Sequence, residues 1–227
     1  MLLLSLIIAE AALETVPKLI AKHTSVVRHA ERKGKPAEEI LLDRSYHHSA
    51  MLKLENAERR GRPDLVHFAL LEATSTPLYR KNLLNVYVHT VANKVIFLGE
   101  NVRLPKSYFR FEGLMEDLFK NRRESSDSNM LMDLKDMKFQ DLVDKLKPRT
   151  VIGLSRVGAR SNAEQVAKMI DGDTVLVVGG FPRGHFSNVV SGKINYTYSI
   201  NEIALEAHLV IARILYEYEK QLDRSIV

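Results

Sequence analysis

Three stretches of this chain hold the residue types that do chemistry. The first, Gly179-Gly180-Phe181-Pro182-Arg183-Gly184-His185-Phe186, follows directly on the apolar, β-branched run Thr174-Val175-Leu176-Val177-Val178. A buried strand that ends in a glycine-rich turn is where an α/β protein lets its backbone approach a ligand. The turn is neither GxGxxG nor a P-loop, because it lacks the Gly-Lys-Ser/Thr ending that holds a nucleotide phosphate and magnesium. Taken by itself it reads equally well as an ordinary turn. Two neighbours favour a ligand crevice. Gly153-Leu154-Ser155 closes another strand-like run, and residues 193–200 form a third that leads into residues 201–208, which open like a helix. Loops at the exits of adjacent strands can share one pocket.

The second stretch is Gly61-Arg62-Pro63-Asp64-Leu65-Val66-His67. Proline disfavours helix at the residue before it and suits the first turn of a helix itself. Asp64 then lies near a helix N-terminus, where a carboxylate is stabilised. It either caps that helix or pairs with a guanidinium and fixes its orientation. The third stretch is Arg103-Leu104-Pro105-Lys106-Ser107-Tyr108-Phe109-Arg110, with three cations among aromatics over eight residues. RNA-binding surfaces combine cations for phosphates with aromatic and guanidinium planes for unstacked bases. A solvated cationic face uses the same residue types. From residue 80 to 110, however, Arg80, Lys81, Lys94, Arg103, Lys106 and Arg110 meet the single anion Glu100, which tilts the reading to RNA. The histidines, among them His47, His48, His67, His89, His185 and His208, form no HExxH or Cys/His ligand set, so no metal site is expected. There is no G-x-S-x-G elbow and no glycosidase-like carboxylate pair.

These groups need a scaffold, and the pattern along the chain supplies one. The apolar start (residues 1–9) reads as a buried strand rather than a signal peptide, since it has no positive n-region and Glu10 and Glu14 follow at once. Residues 14–17 read as a turn or helix entry. A basic cluster at Arg28, Arg32, Lys33 and Lys35 is interrupted by Gly34 and Pro36, and residues 36–42 look like a helix entry. Helices are expected over 64–75, 111–119, 133–147 and 162–170, with a long final helix over 203–222. Strands are expected over 86–90 and 94–98, joined by a tight turn at Ala92-Asn93, and over 150–155 and 175–178. Residues 120–130, polar and serine-rich, read as a loop. Leu205, Leu209, Ala212, Leu215 and Tyr216 form a stripe on the last helix that serves either the core or a dimer seam.

Strands that alternate with helices indicate an α/β fold. With no repeat and no long linker, residues 1–227 are expected to form a single domain. At 45% hydrophobic residues the chain can bury an ordinary core. Its net charge of +5 and pI near 9.3 permit a nucleic-acid partner. The absence of cysteine excludes disulfides and thiolate metal sites, and fits a reducing cytoplasm or a hot one. No apolar run reaches the roughly 18 residues of a membrane span, so no membrane association is expected.

In order, Ile8-Ala9-Glu10-Ala11-Ala12-Leu13-Glu14-Thr15-Val16, Arg62-Pro63-Asp64, Arg103-Leu104-Pro105-Lys106 with Arg110, Gly179-Gly180-Phe181 with Gly184, and Tyr198-Ser199-Ile200 resemble one family. It is the small-subunit rRNA pseudouridine-N1-specific methyltransferases, the nucleolar essential protein (essential for mitotic growth) family of SPOUT, or α/β-knot, methyltransferases. The likeness covers nearly the whole chain and is to the archaeal type. It implies a parallel-sheet α/β domain with a C-terminal trefoil knot and an added basic β-hairpin/helical insertion. It implies a homodimer that uses S-adenosylmethionine, leaves S-adenosylhomocysteine, methylates N1 of a pseudouridine in small-subunit rRNA and serves ribosome biogenesis, with small-subunit ribosomal proteins as further partners. By position, the resemblance assigns cofactor binding to Leu154, Gly179, Gly184, His185, Phe186, Thr197, Tyr198, Ser199, Ile200, Asn201 and Glu202. It assigns RNA binding to Arg62, Arg103, Lys106 and Arg110, and catalysis to Arg62 and Asp64. Members often carry proline and serine where this chain has Ser199 and Asn201, and arginine in place of Lys106. The alternative is a non-catalytic rRNA-binding assembly factor. The missing phosphate fingerprint argues against a third class, a nucleotide-dependent dehydrogenase.

Overall fold

The first strand is buried on both faces, and its composition follows from that. In the computed structural model, which describes residues 3–126 and 129–222, β1 (Leu4–Ala11) lies inside an eight-stranded sheet. The other strands are β2 (Leu84–Thr90), β3 (Lys94–Leu98), β4 (Arg123–Ser126), β5 (Asn129–Asp136), β6 (Thr150–Arg160), β7 (Thr174–Gly179) and β8 (Tyr196–Ser199), in the order β4-β5-β3-β2-β1-β7-β6-β8. β1 pairs in parallel with β2 and β7, and β6 in parallel with β7 and β8. The β2–β3, β3–β5 and β4–β5 pairs are antiparallel. Leu4, Leu6 and Ile8 of β1 face one hydrophobic cluster, while Ile7 and Ala9 face the other. A strand covered on both sides needs an unbroken apolar run rather than alternation.

The helices are α1 (Thr24–Lys33), α2 (Arg44–Met51), α3 (Pro63–Ser75), α4 (Pro77–Arg80), α5 (Tyr108–Asn121), α6 (Phe139–Leu146), α7 (Ala163–Ala167), α8 (Asn188–Ser191) and α9 (Ala207–Glu219). On one face of the sheet, Val66 and Leu70 of α3, Phe111 and Met115 of α5, and Ile211 and Ile214 of α9 close the larger cluster. On the other, Phe139, Leu142 and Val143 of α6 and Val190 of α8 close the second. Removing one such fully buried side chain to alanine costs about 2–5 kcal/mol. A third cluster, with Ile20, Val26, Ile40, Leu42 and Met51, belongs to the helical segment inserted between β1 and α3. That segment docks through charge. Lys33 meets Glu112 at 2.8 Å and Glu116 at 2.5 Å, and Lys35 meets Glu116 at 3.0 Å. Half of the basic cluster read from sequence therefore fastens α1 to α5.

Several elements depart from expectation. The expected loop at 120–130 contains β4 and the start of β5; residues 127 and 128 lie outside the described residues. The expected helix over 133–147 begins only at Phe139. Met132 and Leu134 alternate into the core against β3, so the segment has period 2 where a helical period was read. Residues 36–42 make just a single 3₁₀ turn at Ala37–Glu39, then run extended so that Leu41 bridges Thr15. The last helix starts at Ala207 rather than 203, because Asn201 Oδ1 accepts from Ile203 N and Ser199 Oγ donates to Asn201 O. Such local side-chain bonds hold a turn against helix formation. The buried face of α9 is Ile211, Ile214, Leu215 and Tyr218, so of the expected stripe Leu215 alone is buried, whereas Leu209 and Tyr216 are exposed.

Candidate active site

β6, β7 and β8 run parallel, and one cavity of about 460 Å3 opens at the carboxyl ends of β7 and β8 and at the point, Leu154, where β6 parts from β7 and runs on to Arg160. Crevices outside the carboxyl ends of parallel strands are the usual ligand positions of open α/β sheets. Ser155 comes from β6, residues 179–186 from the turn after β7, and residues 198–201 from β8 and its exit. Arg62 and Leu65 at the start of α3, and Glu206, Ala207 and His208 at the start of α9, complete the wall. Of the residues expected to bind a cofactor, Leu154, Gly179, Gly184, His185, Phe186, Tyr198, Ser199, Ile200 and Asn201 line this cavity. Thr197 and Glu202 do not. The Thr197 backbone lies so close to β6 that a Cβ on Gly158 would come within 2.6 Å of it, and Glu202 points outward to Arg160 at 3.3 Å.

The glycines of the turn are required by what surrounds them. A Cβ on Gly180 would meet Ile8 Cγ2 at 2.7 Å and Ala11 Cα at 2.8 Å. Backbone bonds from Gly180 N to Ala9 O and from Ala12 N to Gly180 O, both 2.8 Å, hold the turn against the end of β1. Gly184 has φ of 89°, which side-chain-bearing residues rarely adopt. Sequence reasoning missed the partners of this turn. Glu10 Oε2 accepts from Arg59 Nη2 at 2.9 Å and from Ser187 N at 3.1 Å, and Arg59 Nη1 donates to His185 O at 2.5 Å. The Arg59 guanidinium lies 4.0 Å from the Phe181 ring centroid. The signal was present in two acids, Glu10 and Glu14, at and just beyond the end of a buried strand, and in the run Arg59-Arg60-Gly61-Arg62.

Arg62 precedes α3 with extended φ, Pro63 takes the first helical position and Asp64 the first turn. Arg62 Nε donates to Asp64 Oδ1 at 2.8 Å and Nη2 to Oδ2 at 2.7 Å, a bidentate pair. Hydrogen bonding to Asp64 raises the Arg62 pKa further, so the cation is permanent. Of the two roles open for Asp64, pairing is realised, and the first-turn position adds to it. Arg62 N donates to Ala12 O at 3.1 Å, while Arg60 clasps Glu14 through two bonds of 2.7 Å. The arginine run is thereby fixed to the exit of β1.

Arg103, Lys106 and Arg110 are exposed and lie apart from the cavity lining, the first two on the approach to α5 and Arg110 in its first turn. Buried Val102 and Leu104 anchor their segment, and the His67 ring donates from Nε2 to Pro105 O at 2.7 Å. The Tyr108 hydroxyl donates to Asp43 at 2.5 Å. The structure thus gathers Arg62 and most of the expected cofactor residues at one cavity, joins Asp64 to it through the pair with Arg62 without placing Asp64 in the lining, and holds the three remaining cations on a separate face tied to α3. Among the described residues, no cluster of three His, Cys, Asp or Glu side chains is spaced to hold a metal ion.

Fold and cavity together define an α/β protein with a small-molecule site at the exits of its parallel strands and an exposed cationic segment tied to the helix that bears its paired arginine. Comparison with known proteins gives the class its family. A family model described as EMG1/NEP1 methyltransferase matches residues 6–219, and the chain belongs to that family. It is 39% identical over 96% of its length to the ribosomal RNA small subunit methyltransferase Nep1 of Thermococcus onnurineus, of which 98% is covered. It is 40% identical over 92% of its length to the protein of the same description from Pyrobaculum arsenaticum, 95% of which is covered. The crystal structure of Archaeoglobus fulgidus Nep1 bound to S-adenosylhomocysteine superimposes with a TM-score of 0.86 at 37% identity, over 95% of this chain and 97% of that one. The fold is therefore the mixed α/β fold of that family.

Proposed function

We propose that this chain transfers the methyl group of S-adenosylmethionine to N1 of a pseudouridine in small-subunit rRNA and releases S-adenosylhomocysteine. The observation that carries this reading is the convergence of the ends of β7 and β8 with the middle of β6 on one cavity whose wall includes Arg62. The description of the relatives supports a small-subunit rRNA substrate, and the ligand of the Archaeoglobus protein supports the donor. The residues present suit an adenosyl ligand. The cavity volume is that of a small-molecule site, Leu154, Phe186 and Ile200 offer apolar walls, and the glycine turn and residues 198–201 offer backbone groups. When bound, the donor supplies an electrophilic sulfonium methyl.

The chain's own residues position the base and manage its proton. N1 of pseudouridine carries a proton that must leave as the new carbon–nitrogen bond forms. Arg62, a permanent cation, stabilises negative charge that develops on the base, and Asp64 holds it in register. With Asp64 held as the orienter that proton passes to solvent water; in the alternative role Asp64 itself accepts it. Arg103, Lys106 and Arg110 grip phosphates of a looped RNA whose target base swings out of its stack. Labelled donor, an rRNA hairpin containing pseudouridine and nucleoside mass spectrometry test the proposal, with labelled N1-methylpseudouridine expected. Binding of both ligands without product would leave a non-catalytic assembly factor.

The same reading extends to the whole chain as one knotted domain that works as a cytoplasmic homodimer in small-subunit biogenesis, in contact with small-subunit ribosomal proteins. The knot rests on the resemblance of the sequence to the α/β-knot methyltransferases. The dimer is supported by the exposed Leu209 and Tyr216 on α9.

A further inference from the structure

We infer that Arg59, together with Glu10, is a positioning residue for the donor-binding turn: the pair clamps residues 181–187 from behind the cavity and thereby sets the affinity for the adenosyl ligand. The inference rests on the donor site proposed above. Neither residue lines the cavity; each acts through residues that do, or that adjoin them. The Arg59 guanidinium makes three different contacts at once. Its face lies over Phe181 on one limb of the turn, its Nη1 donates to the His185 carbonyl on the other limb, and its Nη2 meets Glu10. Glu10 completes the clamp by accepting from Ser187 N, where the turn enters α8. One planar cation thus spans both limbs of a glycine-rich segment, adding to the edge-to-face contact between Phe181 and Phe186.

The surroundings are built for this contact. Gly184 has open φ and a missing Cβ that would sit 3.2 Å from Arg59 Nη1, so the glycine lets the guanidinium approach. Glu10 has φ of 50°, a conformation costly for a residue with a side chain, and its N–H donates to the buried His89 ring at 3.3 Å. The Arg59 and Glu10 side chains are 20% and 14% exposed, so bulk salt screens the pair little. Lysine could supply the charge but neither the planar stack nor the two-directional fork. Arg59 also shares a rigid segment with Arg62. Arg60 is locked on Glu14 and Arg62 N on Ala12 O, so RNA bound at Arg62 and donor bound in the turn pull on the same piece of chain.

Calorimetry with S-adenosylhomocysteine tests this on the full chain, using the wild type, Arg59→Gln, Arg59→Lys, Glu10→Gln and, as a control, Arg60→Gln. Arg59→Gln is expected to weaken binding by at least about tenfold, with Arg59→Lys and Glu10→Gln in between. The KM for donor should rise while kcat at saturating donor stays near wild type, and hairpin affinity without donor should stay within about twofold. Arg60→Gln should lower the melting midpoint yet bind S-adenosylhomocysteine as the wild type does, which separates clamping from general stability. Wild-type affinity in Arg59→Gln would overturn the inference. If that variant does not fold, wild-type affinity in Glu10→Gln would overturn it equally. A wild type that fails to bind S-adenosylhomocysteine would instead overturn the donor site itself.

Discussion

Arg62 and Asp64 form the most exacting pair at the residue scale, because each needs the other's geometry. Replacing Asp64 by asparagine removes one charge and one acceptor, and charge-assisted bonds of this kind contribute about 1.5–3 kcal/mol. Asp64→Asn is therefore expected to lower kcat/KM by roughly ten- to a hundredfold across pH 6–9. A variant with full activity over that range would remove Asp64 from both proposed roles. A second residue-scale prediction concerns His47. Asp43 N donates to His47 Nδ1 at 3.1 Å, so the ring carries its proton on Nε2, which donates to His29 Nδ1 at 2.9 Å. Protonating Nδ1 would break the first bond inside a buried site, and burial followed by repulsion from His29 lowers the His47 pKa to about 4. The unfolded chain, with a pKa near 6.5, takes up that proton first. The stability present above about pH 6.5 is thus lost as pH falls towards 4, and thermal melts should show the midpoint dropping over that window. His47→Gln should flatten the dependence, and an unchanged profile would show that another group dominates.

At the scale of elements, the link between α3 and the Arg103–Arg110 segment divides the work. The cations sit on a stretch held by His67, Tyr79 and Tyr108 rather than by the cavity. Reversing charge at Arg103 and Arg110 should weaken hairpin binding and flatten the slope of log affinity against log salt by about one per lost phosphate contact. Binding of S-adenosylhomocysteine should be unaffected, and an unaltered salt slope would mean that RNA lies elsewhere. The same scale shows where sequence patterns mislead. Val86 to Leu98 was legible as a hairpin because two short apolar runs with β-branched residues flank a tight turn at Asn93. β5 was not, because Met130-Leu131-Met132-Asp133-Leu134 fits period 2 and period 3.6 alike, and only pairing with β3 selects the strand.

For the whole molecule, α9 bears on assembly. With Ile211, Ile214, Leu215 and Tyr218 turned to the core, Leu209 and Tyr216 stand exposed among the described residues. A homodimer at micromolar concentration by sedimentation is expected, and Leu209→Glu with Tyr216→Glu should shift it to monomer. A wild-type monomer under those conditions would contradict the dimer.

The sequence by itself determined the α/β class, the buried first strand and the glycine turn after β7. It also determined the proline-started helix that presents Arg62 and Asp64, because each of these is written in local periodicity or backbone chemistry. It also marked the three segments that share the cavity and favoured one crevice for them. Tertiary structure alone decided the strand order that sets them side by side, the pairing of Glu10 with Arg59 across 49 residues, the docking of the inserted helices through Lys33 and Glu116, and the outward face of α9. Such contacts join residues distant in the chain, and their partners are chosen by packing and burial once the sheet has formed, so no local pattern encodes them.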